Sequence, residues 1–339
     1  MIERVRKSDK NGGGGNYFSA PKTNLKFVPS GSKLLDLVLG GGWARGRVAN
    51  IVGDKSTGKS LLCIEASANF ALVEPYGKIL YRESEKAFDE DYAAALGMPI
   101  DRVDFGKNPL ETVEDVFDDL SDCIKKYKQQ PTLYFCDSLD ALSDEAELDR
   151  DFSKGSFGAQ KAKDMSKLFR MLISGLSGCD ITVIFVSQVR DNIGVMFGEK
   201  HKRSGGKALD FYASQVLFLS QIEKLKKKVL NTVRITGVKI RAHCKKNKVA
   251  LPYREAEFEI LFGYGIDDAK ACLEWLKELG KENDFLRDSK YSYMLQALRD
   301  GKHKKELLLE LHEVVQNNWY AIETELLPKH HKYEKSVNP

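Results

Sequence analysis

The chain has 339 residues, 42% hydrophobic and 30% charged, with 53 Lys plus Arg against 49 Asp plus Glu and a formal net charge of +4. These figures exclude a disordered polyelectrolyte and a uniformly basic, histone-like DNA binder, while a near-zero sum still allows a locally basic face. No apolar run approaches the roughly 20 residues of a membrane-spanning helix, and Met1 to Asn16 is polar, without the apolar core of a secretion signal.

Residues 1–28 read as an arm with a flexible glycine hinge at Gly12 to Gly15, followed by Tyr17-Phe18-Ser19-Ala20. From Arg47 the pattern becomes strand and helix in alternation. Strands are expected at Val48–Val52, Lys78–Tyr81, Leu133–Cys136 and Ile181–Val186. Helices are expected at Lys59–Leu72, Val113–Lys128 and Gln160–Leu176, the second with an acidic, solvated outer face from Glu111 to Asp122. Such alternation implies a mainly parallel sheet covered by helices on both faces. Ser214–Ser220, Val233–His243 and Phe258–Phe262 extend the sheet, partly antiparallel. From Asp267 to about Leu327 apolar residues recur at helical spacing (Leu273, Leu276, Leu307, Leu311, Val314), before a basic tail with His330 and His331. The expected architecture is therefore α/β: a core over 29–266, a short arm before it, and a small helical domain with its tail over 267–339. Six scattered cysteines without a CxxC pair read as buried free thiols in a reducing cytoplasm, and the histidines show no zinc spacing.

Gly53-Asp54-Lys55-Ser56-Thr57-Gly58-Lys59-Ser60 matches G-x-x-x-x-G-K-[ST] between an expected strand and helix. Glycines let backbone N–H groups curl around phosphates, and the helix N-terminus adds its dipole. Lys59 supplies a point charge to the β- and γ-phosphates of ATP, and the Ser60 hydroxyl a ligand to Mg²⁺. Asp137, ending an apolar strand, places a carboxylate within reach of the metal. Glu83 and Glu85, after the strand Lys78–Tyr81, are both candidates by position for the carboxylate that activates water; for Glu83 a plain surface charge is the favoured reading.

Several segments together resemble the RecA family of recombinases. They are Ser30-Gly31-Ser32 with Leu35-Asp36, the phosphate loop, Glu85 to Asp89 with Tyr92, Cys136-Asp137-Ser138, and Gln188-Val189-Arg190 leading into Ile193-Gly194-Val195-Met196-Phe197-Gly198. Gly205-Gly206-Lys207, Lys246-Asn247-Lys248 and Ala256-Glu257-Phe258 complete the set, which runs from about Pro29 to Asp268. The resemblance implies a P-loop ATPase of the RecA-like fold using ATP and Mg²⁺. It makes Glu85 the water-activating carboxylate, puts Asp89 and Tyr92 at the adenine, and makes Gln188 a sensor of the γ-phosphate. It makes Lys246 and Lys248 a pair that reaches a neighbouring subunit's ATP. Simple surface charge is the competing reading for these lysines, because Gln221 to Lys248 holds ten basic residues and one acid.

Two glycine-containing loops have the composition of single-stranded DNA contacts. The first, about Asp149 to Gly158, includes Arg150 and Phe157; the second, about Arg190 to Gly206, includes Arg190, Ile193, Met196, Phe197, Lys200, Lys202, Arg203, Gly205 and Gly206. By resemblance, Phe157 and Ile193 wedge between nucleotide triplets. The charge at Lys200, Lys202 and Arg203 implies tighter, more salt-sensitive binding. The implied activity is DNA-dependent ATP hydrolysis with homologous pairing and strand exchange in recombination and repair, by a helical filament on single-stranded DNA that takes up homologous duplex. Tyr17 to Ala20 resembles a subunit-docking anchor, and single-strand-binding and loader proteins are conceivable partners. A hexameric DNA motor and a non-exchanging regulator of a recombinase are the alternative readings of the same core.

Overall fold

The computed structural model describes residues 25–143, 158–176, 178–191, 201–203 and 206–328. Its centre follows from short segments rich in β-branched, aromatic and leucine residues. These form β3 (Val48–Gly53), β4 (Lys78–Glu83), β6 (Thr132–Asp137) and β7 (Ile181–Asp191). Their side chains alternate between the two faces, as strand geometry requires. Leu133 and Phe135 enter one apolar cluster, and Tyr134 and Cys136 the other. β3 pairs with β7, β7 with β6, and β6 with β4, all parallel. The two-residue β5 (Val103–Asp104) adds to the edge of β4.

On the other side of β3, β9 (Gln215–Val229) is still parallel. β10 (Thr232–Asn247), β11 (Arg254–Leu261) and β12 (Gly265–Ile266) follow antiparallel. The expected partly antiparallel extension is therefore present, but β9 and β10 are longer than expected. They form a hairpin closed by Leu230 and Asn231, both at positive φ (47° and 62°), as a two-residue type I′ turn demands. Its outer half, with Lys224, Lys226, Lys228 and Arg234, is mostly exposed and offers no apolar alternation from which a strand could be read. A further short strand, β8 (His201–Arg203), pairs with the end of β7.

Helices cover both faces. α2 (Lys59–Val73) packs on one, while α4 (Val113–Tyr127) and α5 (Gly158–Leu176) pack on the other. α4 begins with a capping box between Thr112 and Asp115. Its face was expected to be acidic and solvated, and Asp119 departs from this. Its carboxylate turns inward to accept from Arg82 Nε at 2.8 Å and from the Tyr134 hydroxyl at 2.8 Å. Arg82 is itself buried, so the pair satisfies a charge that would otherwise be costly there. Near the start, β1 (Phe27–Val28) and β2 (Trp43–Ala44) form a small sheet around α1 (Lys33–Leu39).

Beyond the sheet come α7 (Asp268–Glu278), α8 (Asn283–Leu286), α9 (Tyr291–Asp300) and α10 (Lys304–Leu326). Leu273, Leu276, Leu298, Leu311 and Val315 belong to the same apolar cluster as α1, α2 and one sheet face. All six cysteines are buried and free. Among the described residues, no helix is long and apolar enough to cross a membrane.

Candidate nucleotide-binding site

Parallel strands bring their carboxyl ends to one edge, where open α/β sheets bind ligands. Here register does the positioning. Gly53 of β3 stands beside Gln188 of β7, and Glu83 of β4 beside Asp137 of β6. The phosphate loop leaves β3 at this edge and opens α2. Ser56 (φ 58°) and Gly58 (φ 87°) both have left-handed backbone. A Cβ on Gly58 would also press Ile260 Cδ1 at 2.4 Å, so glycine is needed here for conformation and for space.

Lys59 is 9% exposed, and its ammonium donates to the Asp54 carbonyl at 2.8 Å. Burial pulls its pKa down, while the carboxylates of Asp137, Asp54, Asp140 and Glu85 oppose that shift. Asp137 is equally enclosed, and burial raises its pKa; hydrogen bonds from Ser60 and Tyr81 and the charge of Lys59 pull it back. The Tyr81 hydroxyl donates to Asp137 Oδ2 at 2.7 Å. A left-handed backbone turn at a helix N-terminus, one enclosed ammonium, and a hydroxyl beside a carboxylate fit a nucleotide polyphosphate. The oxygen-only donor pair, Ser60 and Asp137, suits Mg²⁺.

Glu85 lies just past β4, and its Oε1 accepts from Gln188 Nε2 at 3.0 Å and from the Ser138 hydroxyl at 3.1 Å. Two donors from neighbouring strand ends thus converge on one oxygen of Glu85. Gln188 is held in turn by its backbone N–H, which donates to Asp140 Oδ2 at 2.5 Å. Ser84 stitches the same ends together, donating to the Ser138 carbonyl at 2.8 Å and accepting from its N–H at 2.9 Å.

Glu83 is not the plain surface charge favoured for it. Its carboxylate accepts from the backbone N–H of Glu85 (3.0 Å), Lys86 (2.6 Å) and Ala87 (3.3 Å). It braces the turn that carries Glu85, in which Lys86 adopts φ 57°. Ser138, Asp140 and Tyr81 also went unread as site residues. A single polar residue near a strand end is common, and only strand register reveals which of them meet. Asp89 precedes α3 (Glu90–Ala95) as its N-cap, accepting from Tyr92 N–H at 2.9 Å. A short carboxylate is best used there, where it satisfies an N–H of the helix's first turn.

Lys246 and Lys248 lie elsewhere. Lys246 is opposite Val216 of β9, and Val216 is opposite Asn50 of β3, toward the amino end of that strand. Both ammoniums donate to the last carbonyls of α6 (Gly206–Tyr212): Lys246 to those of Asp210 and Phe211, the latter at 2.8 Å, and Lys248 to that of Phe211 at 3.2 Å. Arg150, Phe157, Ile193, Met196, Phe197, Lys200 and Gly205 fall outside the described residues, as does Tyr17 to Ala20. Arg190 ends within β7, Lys202 and Arg203 lie in β8, and Gly206 opens α6, described by backbone alone.

Fold and strand-end site together define a P-loop nucleotide-binding α/β protein. Residues 3–267 match the family model described as the RecA N-terminal domain. The chain is 35% identical over 298 residues to Protein RecA of Streptomyces avermitilis, covering 86% of this chain and 74% of that one. Against Protein RecA of Rhodococcus jostii the identity is 35% over 314 residues, 89% of this chain and 85% of the relative. The chain belongs to the RecA family, the recombinases of DNA recombination and repair.

Proposed function

We propose that this chain is a DNA-dependent ATPase that polymerises into a helical filament on single-stranded DNA and exchanges strands with homologous duplex. ATP with Mg²⁺ supplies the phosphoanhydride whose cleavage lets the filament turn over. In this reading Lys59 and the N–H groups of residues 54–60 bind phosphate, while Ser60 and Asp137 hold the ion. Glu85 orients and deprotonates water, and Asp89 and Tyr92 flank the base. Lys246 and Lys248 serve the site of the next subunit. Residues Arg150, Phe157 and Arg190 to Gly206 bind DNA through phosphate contacts and apolar wedges.

The observation that carries this reading is the contact between the Glu85 carboxylate and the Gln188 amide at 3.0 Å. An amide can donate either to this carboxylate or to a phosphate oxygen without changing charge. Gln188 also begins the segment that enters the expected second DNA loop, so one side chain links the catalytic carboxylate to the DNA-binding element. The test is electron microscopy of the full chain with single-stranded DNA and a non-hydrolysable ATP analogue. Open helical filaments are expected. Closed rings would instead support a hexameric motor, and neither form would support a regulator.

A further inference from the structure

A second group of chemically capable side chains gathers where α1, α7 and α10 meet, among residues to which the nucleotide site gives no task. Asp268 and Cys272 stand one turn apart on α7, and His312 comes from α10. One carboxylate oxygen, the Sγ and one ring nitrogen all lie within 4.8 Å of one another. His312 Nε2 is 2.6 Å from Asp268 Oδ2, and Cys272 Sγ is 3.8 Å from Asp268 Oδ1. The carboxylate is oriented from behind, because the Lys33 backbone N–H donates to Oδ1 at 2.7 Å. Backing hydrogen bonds of this kind are what fix metal ligands in place. Cys272 is fully buried, whereas the His312 side chain is 26% exposed and offers a way in.

The charge balance of the junction points the same way. The carboxyls of Asp36 and Glu65 are each pushed up to about 7, chiefly by burial, with Asp268 adding to both shifts. Lys33, the nearby ammonium, is engaged with Gln316 Oε1 at 2.6 Å. The carboxyls of Asp36, Glu65 and Asp268 thus share an enclosed junction opposed by the Lys33 ammonium, and a bound cation adds to that opposing charge.

We propose that Asp268, Cys272 and His312 form a site for a borderline-soft divalent cation of the zinc type, clipping α7 to α10. A thiolate, an imidazole and a carboxylate are a set that zinc accepts and magnesium does not favour, so this site is distinct from that of the nucleotide's Mg²⁺. Binding releases the Cys272 thiol proton to solvent as the sulfur–metal bond forms. The clip joins residues 44 positions apart in sequence, which is why no ligand spacing is visible in the chain.

The test uses the full chain without nucleotide or DNA. After equilibration with zinc and exhaustive dialysis, about one zinc per chain is expected. Cobalt in its place should give a thiolate-to-cobalt charge-transfer band that Cys272→Ser removes. His312→Gln, at a partly exposed position, should weaken zinc binding at least tenfold. ATP-analogue binding by both variants verifies that they are folded. Zinc should raise the melting temperature of the parent, and magnesium at equal concentration should not. A chain with His330→Ala and His331→Ala should bind zinc as the parent does. The proposal is overturned by the absence of stoichiometric zinc, by a cobalt spectrum without the thiolate band, by zinc retained in both site variants, or by zinc lost with the tail histidines.

Discussion

The two ends of the central sheet do different work. At the carboxyl end, Gly53, Glu83, Asp137 and Gln188 are brought side by side by parallel register, and the strand ends are tied together through Glu85, Ser84, Ser138 and Gln188. Toward the amino end, Lys246 and Lys248 close the C-terminus of α6. From Gly53, Lys246 lies three residues back along β3 and two strands across. That is on the order of 14 Å at about 3.3 Å per residue and 4.8 Å per strand, too far for a lysine to reach the phosphate loop of its own chain. The proposed reading, in which these lysines serve the site of a neighbouring copy, fits that separation.

The largest effects should come from the carboxyl end. Lys59→Ala should lower ATP turnover by about 10²–10³-fold or more, because it removes the one enclosed ammonium of the loop. Glu85→Gln should cost about 10²–10⁴-fold in kcat while filaments still form with ATP. Turnover surviving in Glu85→Gln would mean that another group activates water. The double substitution Lys246→Ala, Lys248→Ala should be nearly as severe if these lysines stabilise phosphoryl charge. If they only close α6, it should cost stability and spare the rate.

A smaller effect separates positioning from chemistry. Glu83→Gln keeps the side chain's shape but weakens three N–H contacts that fix the Glu85 turn. It should lower kcat about tenfold with KM for ATP little changed. An equal loss in both parameters, or none, would remove Glu83 from the positioning role.

The smallest effect is in stability. The Glu65 carboxyl, pushed up to about 7 by burial, ordinarily titrates near 4.5. Between those values the folded chain holds a proton that the unfolded chain has lost. Its contribution is therefore full at low pH and fades as pH rises toward about 7. Glu65→Gln can still accept from the Ile266 N–H, which the parent carboxylate does at 3.1 Å. Urea unfolding with a chelator present should show the variant gaining on the parent between about pH 5 and pH 8. A pH-independent difference would contradict this assignment.

The sequence showed the carboxyl end more fully than the amino end for physical reasons. A phosphate loop is contiguous, and its strand, glycines and helix start are all local signals. The strand of Asp137 is a short apolar run whose last residue is a carboxylate. Contacts made across strands were not legible. Glu83 and Ser138 look like ordinary polar residues until register places them against Glu85. Asp119 read as solvated because its partner, Arg82, lies 37 residues away. The outer hairpin of β9 and β10 was missed because a ribbon exposed on both faces need not alternate. The lysine pair was noticed by resemblance, and only strand register showed at which end of the sheet it stands.

The central claim, a site built from two chains, is tested most directly by mixing two inactive variants on single-stranded DNA. One carries Glu85→Gln and keeps its lysines; the other carries Lys246→Ala and Lys248→Ala and keeps its carboxyl-end site. In a randomly mixed equimolar filament about a quarter of the interfaces pair an intact carboxyl end with intact lysines. ATP turnover should therefore reappear at about that fraction of the parent rate. A mixture as inactive as its two components would place the lysines in service of their own chain and contradict the account.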